Sequence, residues 1–308
     1  METNLTLAII GCGNMGSAIL SGILDADATT TTTTNTTSKE SPFSRIIACT
    51  GTQASAEKLR KRYAGHASSI VLDFRSGDNC AAAAQSDVVM LGCKPYLIDA
   101  VLAAEGVADA MVGKLVVSLI AGKTVRVLSE CIAKHASEEA GAVEGKAGEK
   151  GTIVARAMPN VAASVRESMT VVELEDTCPP RYVRLINWMF SQIGRVKVLG
   201  ADTFDCGTML MASAASVSVA VDGLLDGCVA EGMRRADASE IVSQCLLGLA
   251  KLLQDGEHPA ALRESMASPR GCTIQGLLTL EKAGVRSAFA ESVINGTRHL
   301  QELQRKQE

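Results

Sequence analysis

A glycine-rich motif near the start of the chain has the spacing of a dinucleotide-binding loop. Gly11, Gly13 and Gly16 form G-x-G-x-x-G directly after an apolar run and at the start of a helical pattern. The first glycine permits a tight turn, the second lets the backbone approach a pyrophosphate, and the third lets helix and strand pack closely. Free amides at the helix start favour a phosphate. The motif predicts a bound dinucleotide, with a plain glycine-rich turn as the alternative.

The end of the second predicted strand indicates which dinucleotide is preferred. Sites that select NAD usually place an acid there, where it binds the ribose hydroxyls. Here Thr50 ends the strand, and the first acid after it is Glu57. Because no carboxylate at this point repels a 2′-phosphate, we predict NADPH as the cofactor and Thr50 as one of its contacts. NADH remains open, since no arginine follows the strand directly.

Small and turn-forming residues interrupt a helical pattern near the end of the chain. The run 267–273 (ASPRGCT) surrounds Arg270 with such residues, and a regular apolar pattern resumes at Ile274. Ser-Pro is a signal for the end of a helix, and a hydroxyl residue often caps the start of the next one. We therefore predict that one helix stops at Ser268 and that a new helix begins near Thr273 with its first amides free.

The apolar patterns that must position these loops indicate an α/β fold followed by helices. Strands alternate with helical patterns, which is typical of a mostly parallel sheet covered on both faces. From about residue 201 the strand patterns stop. We expect an α/β Rossmann-like dinucleotide-binding domain at 1–200 and an all-α C-terminal domain at 201–308. The predicted elements are a strand, loop and helix at 5–24, strands within 45–50, 86–95, 114–122, 152–160, 169–174 and 195–200, and helices within 203–255 and 273–304.

Two inserts of low complexity lie between the predicted elements. A threonine tract at 27–42 separates the first helix from the second strand, and a charged linker rich in glycine and alanine occupies 138–151. Neither insert can bury enough apolar surface to order itself. We expect both to be mobile surface loops.

The composition excludes several classes of function. The 308 residues are 47% hydrophobic and carry a formal net charge of −4, so a core is available and no basic surface for nucleic acid dominates. The apolar start of the chain is too short for a signal peptide. The apolar stretch 208–221 is shorter than the roughly 20 residues that span a bilayer. We expect a soluble cytoplasmic protein in which 208–221 is a buried helix, without membrane or nucleic-acid partners.

The ten cysteines have no metal-site pattern. None forms C-x-x-C and the four histidines are scattered, so we predict no metal. Cys12, Cys49, Cys93 and Cys245 all lie in apolar runs, which is typical of buried free thiols in a reducing compartment.

Several motifs together resemble one enzyme family. The opening run AIIGCGNMGSAILSGIL, with LGCKP (91–95), SLIAGKT (118–124) and AMPN (157–160), is similar to Δ1-pyrroline-5-carboxylate reductases. The most specific match is 246–289, which has that family's His-Pro, charged helix, Ser-Pro loop and small-residue helix. The resemblance covers about residues 5–304. It implies proline biosynthesis, in which a cyclic imine carboxylate is reduced with hydride from NADPH or NADH.

The resemblance also implies an assembly and a set of site residues. The C-terminal helices become a dimerisation domain of an interlocked homodimer, often built into larger rings, and complete the partner's active site. A helix N-terminus binds an anion without a cation, which suits the substrate carboxylate, although capping alone is the alternative for Ser268 and Thr273. The implied cofactor contacts are the loop Gly11, Gly13, Asn14, Met15 and Gly16, and also Asn79, Lys94, Pro95, Ala121 and Gly122. The implied substrate contacts are Ser213, Arg270, Gly271, Cys272 and Thr273, with Ser268 and Thr273 as the catalytic pair.

The chain departs from the family pattern at three places. The run 212–217 (ASAASV) retains only Ser213 of a family motif, Val161 replaces a threonine, and Arg270 replaces the first glycine of a Gly-Gly pair. These changes leave alternatives open: a reductase of a piperideine carboxylate or an alkylated pyrroline, and a non-catalytic dinucleotide-binding paralogue. A β-hydroxyacid dehydrogenase fits less well, because those enzymes typically need a lysine base in the helical domain. Lys251 fits the reductase signature better.

Overall fold

An eight-stranded sheet is present in the computed structural model, which describes residues 2–32, 41–137 and 151–306. The strands are β1 (Leu5–Ile10), β2 (Phe43–Thr50), β3 (Val71–Ser76), β4 (Val88–Leu91), β5 (Leu115–Ser118), β6 (Ile153–Met158), β7 (Ser168–Glu173) and β8 (Gly194–Val198). Their order in space is β3-β2-β1-β4-β5-β6-β7-β8. Every neighbouring pair is parallel except β6 and β7, so the predicted mostly parallel sheet is confirmed.

Helices follow most of the strands and then continue alone. The described helices are α1 (Asn14–Thr32), α2 (Gln53–Arg62), α3 (Asn79–Ala84), α4 (Ile98–Leu102), α5 (Val125–His135), α6 (Pro180–Ser191), α7 (Ala201–Met211), α8 (Ala214–Ala230), α9 (Arg235–Gln254), α10 (Pro259–Ser265), α11 (Cys272–Lys282) and α12 (Val285–Arg305). Short 3-10 turns lie at Pro95–Leu97, Asp109–Met111 and Val161–Val165.

The core has two layers because side chains alternate along each strand. Ile9 of β1 is fully buried in a cluster with Ile19 of α1 and Phe190 of α6. Its neighbour Ile10 points to the other face, in a cluster with Leu128 of α5. Helices therefore cover both faces of the sheet, as the unbroken apolar strand runs predict.

Strand β3 is the one described strand that the sequence patterns did not predict. It pairs with β2 at the edge of the sheet, and its first residue, Val71, is 60% exposed. Arg75 and Asp73 form an ion pair along it. An edge strand with charged side chains lacks the apolar run by which buried strands are found.

The threonine tract is partly helical, contrary to the expectation of a loop over 27–42. Helix α1 continues to Thr32. Asp27 is buried and accepts hydrogen bonds from the Ser69 backbone N–H at 2.7 Å and the Ser68 hydroxyl at 2.8 Å, which hold this part of the helix. The remaining tract and nearly all of the predicted linker, residues 33–40 and 138–150, lie outside the described residues.

Two compact units divide the chain. The first contains Met1–Met211 and His299–Glu308, and the second contains Ala212–Arg298. The boundary predicted at residue 200 remains a prediction beside this division. In the second unit, helices α8 to α11 and most of α12 follow one another, as the helical patterns predict.

Apolar side chains of the helical region are largely exposed. The stretch Ala201–Ala230 is long and apolar enough to cross a membrane by length and composition alone, and 6% of its most apolar window is buried. One such helix is weak evidence for a membrane. The prediction that 208–221 is buried is wrong within this chain, and so is the expected burial of Cys245, which is exposed. Sequence patterns report apolarity, and they do not report which surface covers it.

A buried ionic network joins the sheet to α7 and to the last turns of α12. Arg156 of β6 is 2% exposed, and its Nη1 donates to Glu173 Oε2 at 2.7 Å. Its Nη2 lies 3.3 Å from Asp205 Oδ1, which also accepts from Gln304 Nε2 at 3.0 Å. The guanidinium carbon lies 4.2 Å from the centre of the Phe204 ring. These contacts hold the two chain segments of the first unit together.

Replacing Arg156 with methionine should strongly destabilise the protein. The change leaves the carboxylates of Glu173 and Asp205 buried without their cation, which typically costs about 3–5 kcal/mol. Urea denaturation should show this loss. Glu130→Gln is the matched control, because it breaks an ion pair with Arg126 in which both side chains are more than half exposed, and the loss there should stay below about 0.5 kcal/mol. Equal effects of the two variants would contradict the importance of the network.

Candidate functional site

The loop after β1 has the geometry that its glycines predict. Gly11 has φ +83°, a conformation that favours glycine. A Cβ on Gly11 would lie 2.5 Å from the Cys93 nitrogen, so no side chain fits. The backbone N–H groups of Gly11 and Cys12 both donate to Cys49 O, at 3.0 and 2.7 Å. The loop is thereby fixed against the end of β2.

The start of α1 is the predicted binding place for a pyrophosphate. A Cβ on Gly13 would meet nothing within 4 Å, so the space above this residue is open. A Cβ on Gly16 would lie 3.2 Å from Ile9 Cγ2, which shows the close packing of helix on strand. The first amides of the helix, at Asn14 and Met15, have no acceptor within the helix. Open space and free donors together fit the phosphates of a dinucleotide.

Thr50 and Asn79 lie at the same edge of the sheet, where the ribose of a dinucleotide is expected. Thr50 is buried, and its hydroxyl donates to Thr52 O at 2.9 Å. Its carbonyl accepts from the N–H of Gly77 at 3.3 Å, which brings in the start of α3 at Asn79. Glu57 lies within α2 and is paired with Arg60. The structure thus places Thr50 as a support of this loop, and a direct cofactor contact there remains a prediction.

The loops after β4 and β5 form the other half of this edge. Lys94 and Pro95 are exposed, and Pro95 begins a 3-10 turn. Ala121 and Gly122 follow β5, and Gly122 has φ +78°. The two strands are joined up to the hydrogen bond from Leu119 N–H to Leu91 O at 2.9 Å. The predicted nicotinamide contacts therefore lie on adjacent loops of one sheet edge.

An ion pair behind these loops was missed by the sequence patterns. Lys123 Nζ lies 3.2 Å from Asp99 Oδ1, and the lysine side chain is only 9% exposed. A lysine next to Ala121 and Gly122 is visible in the sequence, but its partner lies 24 residues away and nothing local indicates the pairing. Buried lysines are rare unless they are paired.

The cysteines near this edge are structural. Burial raises the pKa of the Cys12 thiol to about 11 and also raises the pKa of Cys93. Both thiols are therefore neutral near pH 7, and they have no reactive thiolate. Cys12, Cys49 and Cys93 are free thiols. Within the described residues no group of three or more metal-binding side chains occurs.

The second loop begins a new helix where the sequence predicts one. Helix α11 starts at Cys272, with Gly271 as its N-cap in extended conformation. A Cβ on Gly271 would lie 2.4 Å from Ser268 Oγ, so this glycine allows the tight turn. Ser268 and Thr273 are exposed, and no side chain caps the helix. The free amides and hydroxyls can donate hydrogen bonds to a small carboxylate.

Arg270 lies in the left-handed region of backbone conformation, with φ +59°. Such a conformation is costly for a residue that carries a Cβ. Its side chain is exposed, and no ion pair or hydrogen bond holds it among the described residues. The backbone shape expected from the family's glycine is thus retained, with an arginine in its place.

The other departures also lie at element ends. Ser213 precedes α8 and makes no capping hydrogen bond with its side chain. Val161 is 77% exposed at the start of a 3-10 turn. Asn160 holds that turn, because its Oδ1 accepts from Ala162 N–H at 3.2 Å and its Nδ2 donates to Met211 O at 3.2 Å.

Two family models match different parts of the chain. Residues 201–303 match the family described as pyrroline-5-carboxylate reductase dimerisation, and residues 6–122 match NADP oxidoreductase coenzyme F420-dependent. A solved structure, Plasmodium falciparum pyrroline carboxylate reductase with NADP bound, has a TM-score of 0.75 at 20% identity, covering 99% of this chain and 100% of that one. This likeness shows the shared fold.

Two relatives are similar over almost their whole length. Pyrroline-5-carboxylate reductase of Lophium arboricola is 39% identical, with 96% of this chain and 92% of the relative covered. The enzyme of the same name from Neurospora crassa is 35% identical, with 97% and 98% covered. Identity of this extent, together with the matching dimerisation region, shows that the chain belongs to the pyrroline-5-carboxylate reductase family.

Proposed function

We propose that the protein reduces the C=N bond of Δ1-pyrroline-5-carboxylate to give L-proline, with NADPH as the preferred cofactor. The observation that carries this proposal is the presence, in a member of this family, of both an open phosphate loop at Gly13 and a free helix start at Cys272. The two features suit the two ligands of such a reaction. The local geometry of the two loops and the membership of the family both support this function.

The first unit supplies the residues proposed to hold the cofactor. When bound, NADPH would supply a hydride for the imine carbon, and the ring nitrogen takes up one proton, so that the products are proline and NADP⁺. The amides at Asn14 and Met15 bind the pyrophosphate, and the loops at Lys94 and Gly122 bound the nicotinamide half. The absence of an acid at the end of β2, which finishes with Thr50, removes the repulsion that a 2′-phosphate would meet.

The second unit supplies the residues proposed to hold the substrate. The amides of Cys272 and Thr273 donate to the carboxylate, and the Thr273 hydroxyl adds a further hydrogen bond. Ser268 and Gly271 shape the turn. The role of these residues is to hold the ring in one orientation, because positioning is the main demand of this chemistry.

A homodimer through the helical unit is part of the proposal. The match to the dimerisation family covers these helices. Many large apolar side chains of these helices are exposed, among them Leu224, Leu247 and Leu278 at 58%, 48% and 56%. An extended apolar surface of this kind typically marks a contact with another protein. A second copy of the chain is the proposed cover. Free thiols at Cys12, Cys49 and Cys93 suit a reducing compartment, and a cytoplasmic location completes the proposal.

Purified protein should oxidise NADPH when pyrroline-5-carboxylate is added, and proline should accumulate in equal amount. Because the carboxylate loop and phosphate loop are intact, kcat/KM should lie in the usual enzyme range of about 10⁴ M⁻¹s⁻¹ or above. Piperideine carboxylate and an alkylated pyrroline serve as competing substrates. Faster turnover of either would replace proline synthesis by the related reaction. NADPH binding without turnover of any imine would identify a non-catalytic paralogue.

Replacing Thr273 with alanine should lower kcat/KM for the imine by about tenfold, the usual value of a hydrogen bond to a charged group. The affinity for NADPH should not change. Thr279→Ala is the control, because that hydroxyl lies two turns along the same helix and donates to Gln275 O at 3.0 Å. Equal losses in imine turnover and NADPH affinity, or no loss of either, would contradict the assigned role.

Replacing Arg270 with glycine has two separable effects. Stability should rise by about 1 kcal/mol, because glycine adopts φ +59° without the steric cost that arginine carries. The KM of the imine should rise by about tenfold if the guanidinium contacts the substrate carboxylate. Denaturant melts and steady-state kinetics measure the two effects. An unchanged KM in a stabilised variant would show that the side chain points to solvent.

A further inference from the structure

Lys123 is a buried lysine whose charge has no place in the mechanism above. Its side chain is 9% exposed, whereas that of its partner Asp99 is 65% exposed. The Nζ atom lies 3.2 and 3.4 Å from the two oxygens of Asp99. A pair that is open to water on one side contributes little to stability. Stability alone is therefore a poor reason to bury a lysine here.

The position of the pair gives a better reason. Asp99 lies in the first turn of α4, directly after the loop that carries Lys94 and Pro95. Lys123 follows Gly122 at the end of the next loop. The backbone ladder between the two strands ends at the hydrogen bond from Leu119 to Leu91. Beyond that bond the ion pair connects the two loops again.

The loop after β4 is also held from its other side. A Cβ on Gly92 would lie 3.1 Å from Gly11 O and 3.7 Å from Leu119 Cδ1. A Cβ on Gly11 would lie 2.5 Å from the Cys93 nitrogen. The loop is thus packed between the phosphate loop and the loop after β5. A shift of the ion pair would move atoms that the cofactor is proposed to contact.

We propose that Lys123, acting through Asp99, is a positioning residue for the nicotinamide half of the cofactor site. The pair fixes the separation between the loop 92–97 and the loop 119–124. This inference rests on the proposed function, since it requires that NADPH binds along this edge. Small displacements of such loops weaken binding and misalign the hydride, because positioning is most of what the protein contributes.

The test compares NADPH binding by Lys123→Met, Lys123→Arg and the wild type. Fluorescence titration gives the dissociation constant, and melting with and without NADPH gives the stabilisation by the cofactor. Lys123→Met should raise the dissociation constant of NADPH by about tenfold, because the two loops that are proposed to contact the cofactor are no longer held at their separation. The melting temperature without cofactor should change little, and the KM of the imine should change less than the NADPH affinity. Lys123→Arg should restore most of the affinity.

Glu130→Gln is the matched control on α5, because it breaks an ion pair that is exposed on both sides. It should leave NADPH binding unchanged. Asp99→Asn provides a second variant if the methionine variant does not fold, since asparagine keeps the size of the side chain and an oxygen that can accept from Lys123 Nζ. It should weaken NADPH binding in the same direction.

Three results would overturn the inference. Wild-type affinity for NADPH in Lys123→Met or Asp99→Asn would show that the pair positions nothing. A fall in the melting temperature of cofactor-free Lys123→Met that is as large as its loss of NADPH affinity, and that Lys123→Arg does not restore, would show a purely structural role. A wild-type protein that binds no NADPH would refute the proposed function itself, and this outcome is distinguishable because it appears before any substitution is made.

Discussion

The close approach of Gly11 to the loop after β4 is the constraint on which the cofactor edge depends. Only a residue without a Cβ leaves room for the Cys93 backbone, since a Cβ would lie 2.5 Å from its nitrogen. The same residue is tied to β2 through Cys49 O. The loops after β1, β2 and β4 are therefore brought together at one point. The free amides of α1 face open space because this point holds the turn in place.

The outer part of the edge is held by charge instead of by close packing. Lys123 and Asp99 join the loops after β4 and β5, where backbone hydrogen bonds no longer do so. Further along the sheet, Arg156 joins β6 and β7 to α7 and to the end of α12. Asp205 accepts from both Arg156 and Gln304, so the segments that lead out of and back into the first unit are anchored at the same carboxylate.

The sequence predicts the parts of this protein that follow from local patterns. Apolar runs located seven of the described strands, and the glycine spacing located the turn between β1 and α1, because these signals lie within a few residues of one another. Strand β3 was missed, since edge strands lack a buried apolar run. The pairing of Lys123 with Asp99 was missed as well, because it joins residues far apart in the chain. The burial of 208–221 was wrong, because an apolar helix does not specify whether its own chain or another covers it.

Arg270 departs from the family pattern in its side chain but keeps the backbone conformation expected of a glycine. The backbone at this position retains the left-handed conformation for which glycine is suited. Arginine carries a steric cost there, and no ion pair or hydrogen bond of its side chain among the described residues offsets that cost. Strain that persists without a local reason is concentrated at functional sites. Arg270 lies two residues before Cys272 in the chain. The amide of Cys272 is proposed to hold the substrate carboxylate. We expect a charge at this place to bear on substrate preference more than on the fold.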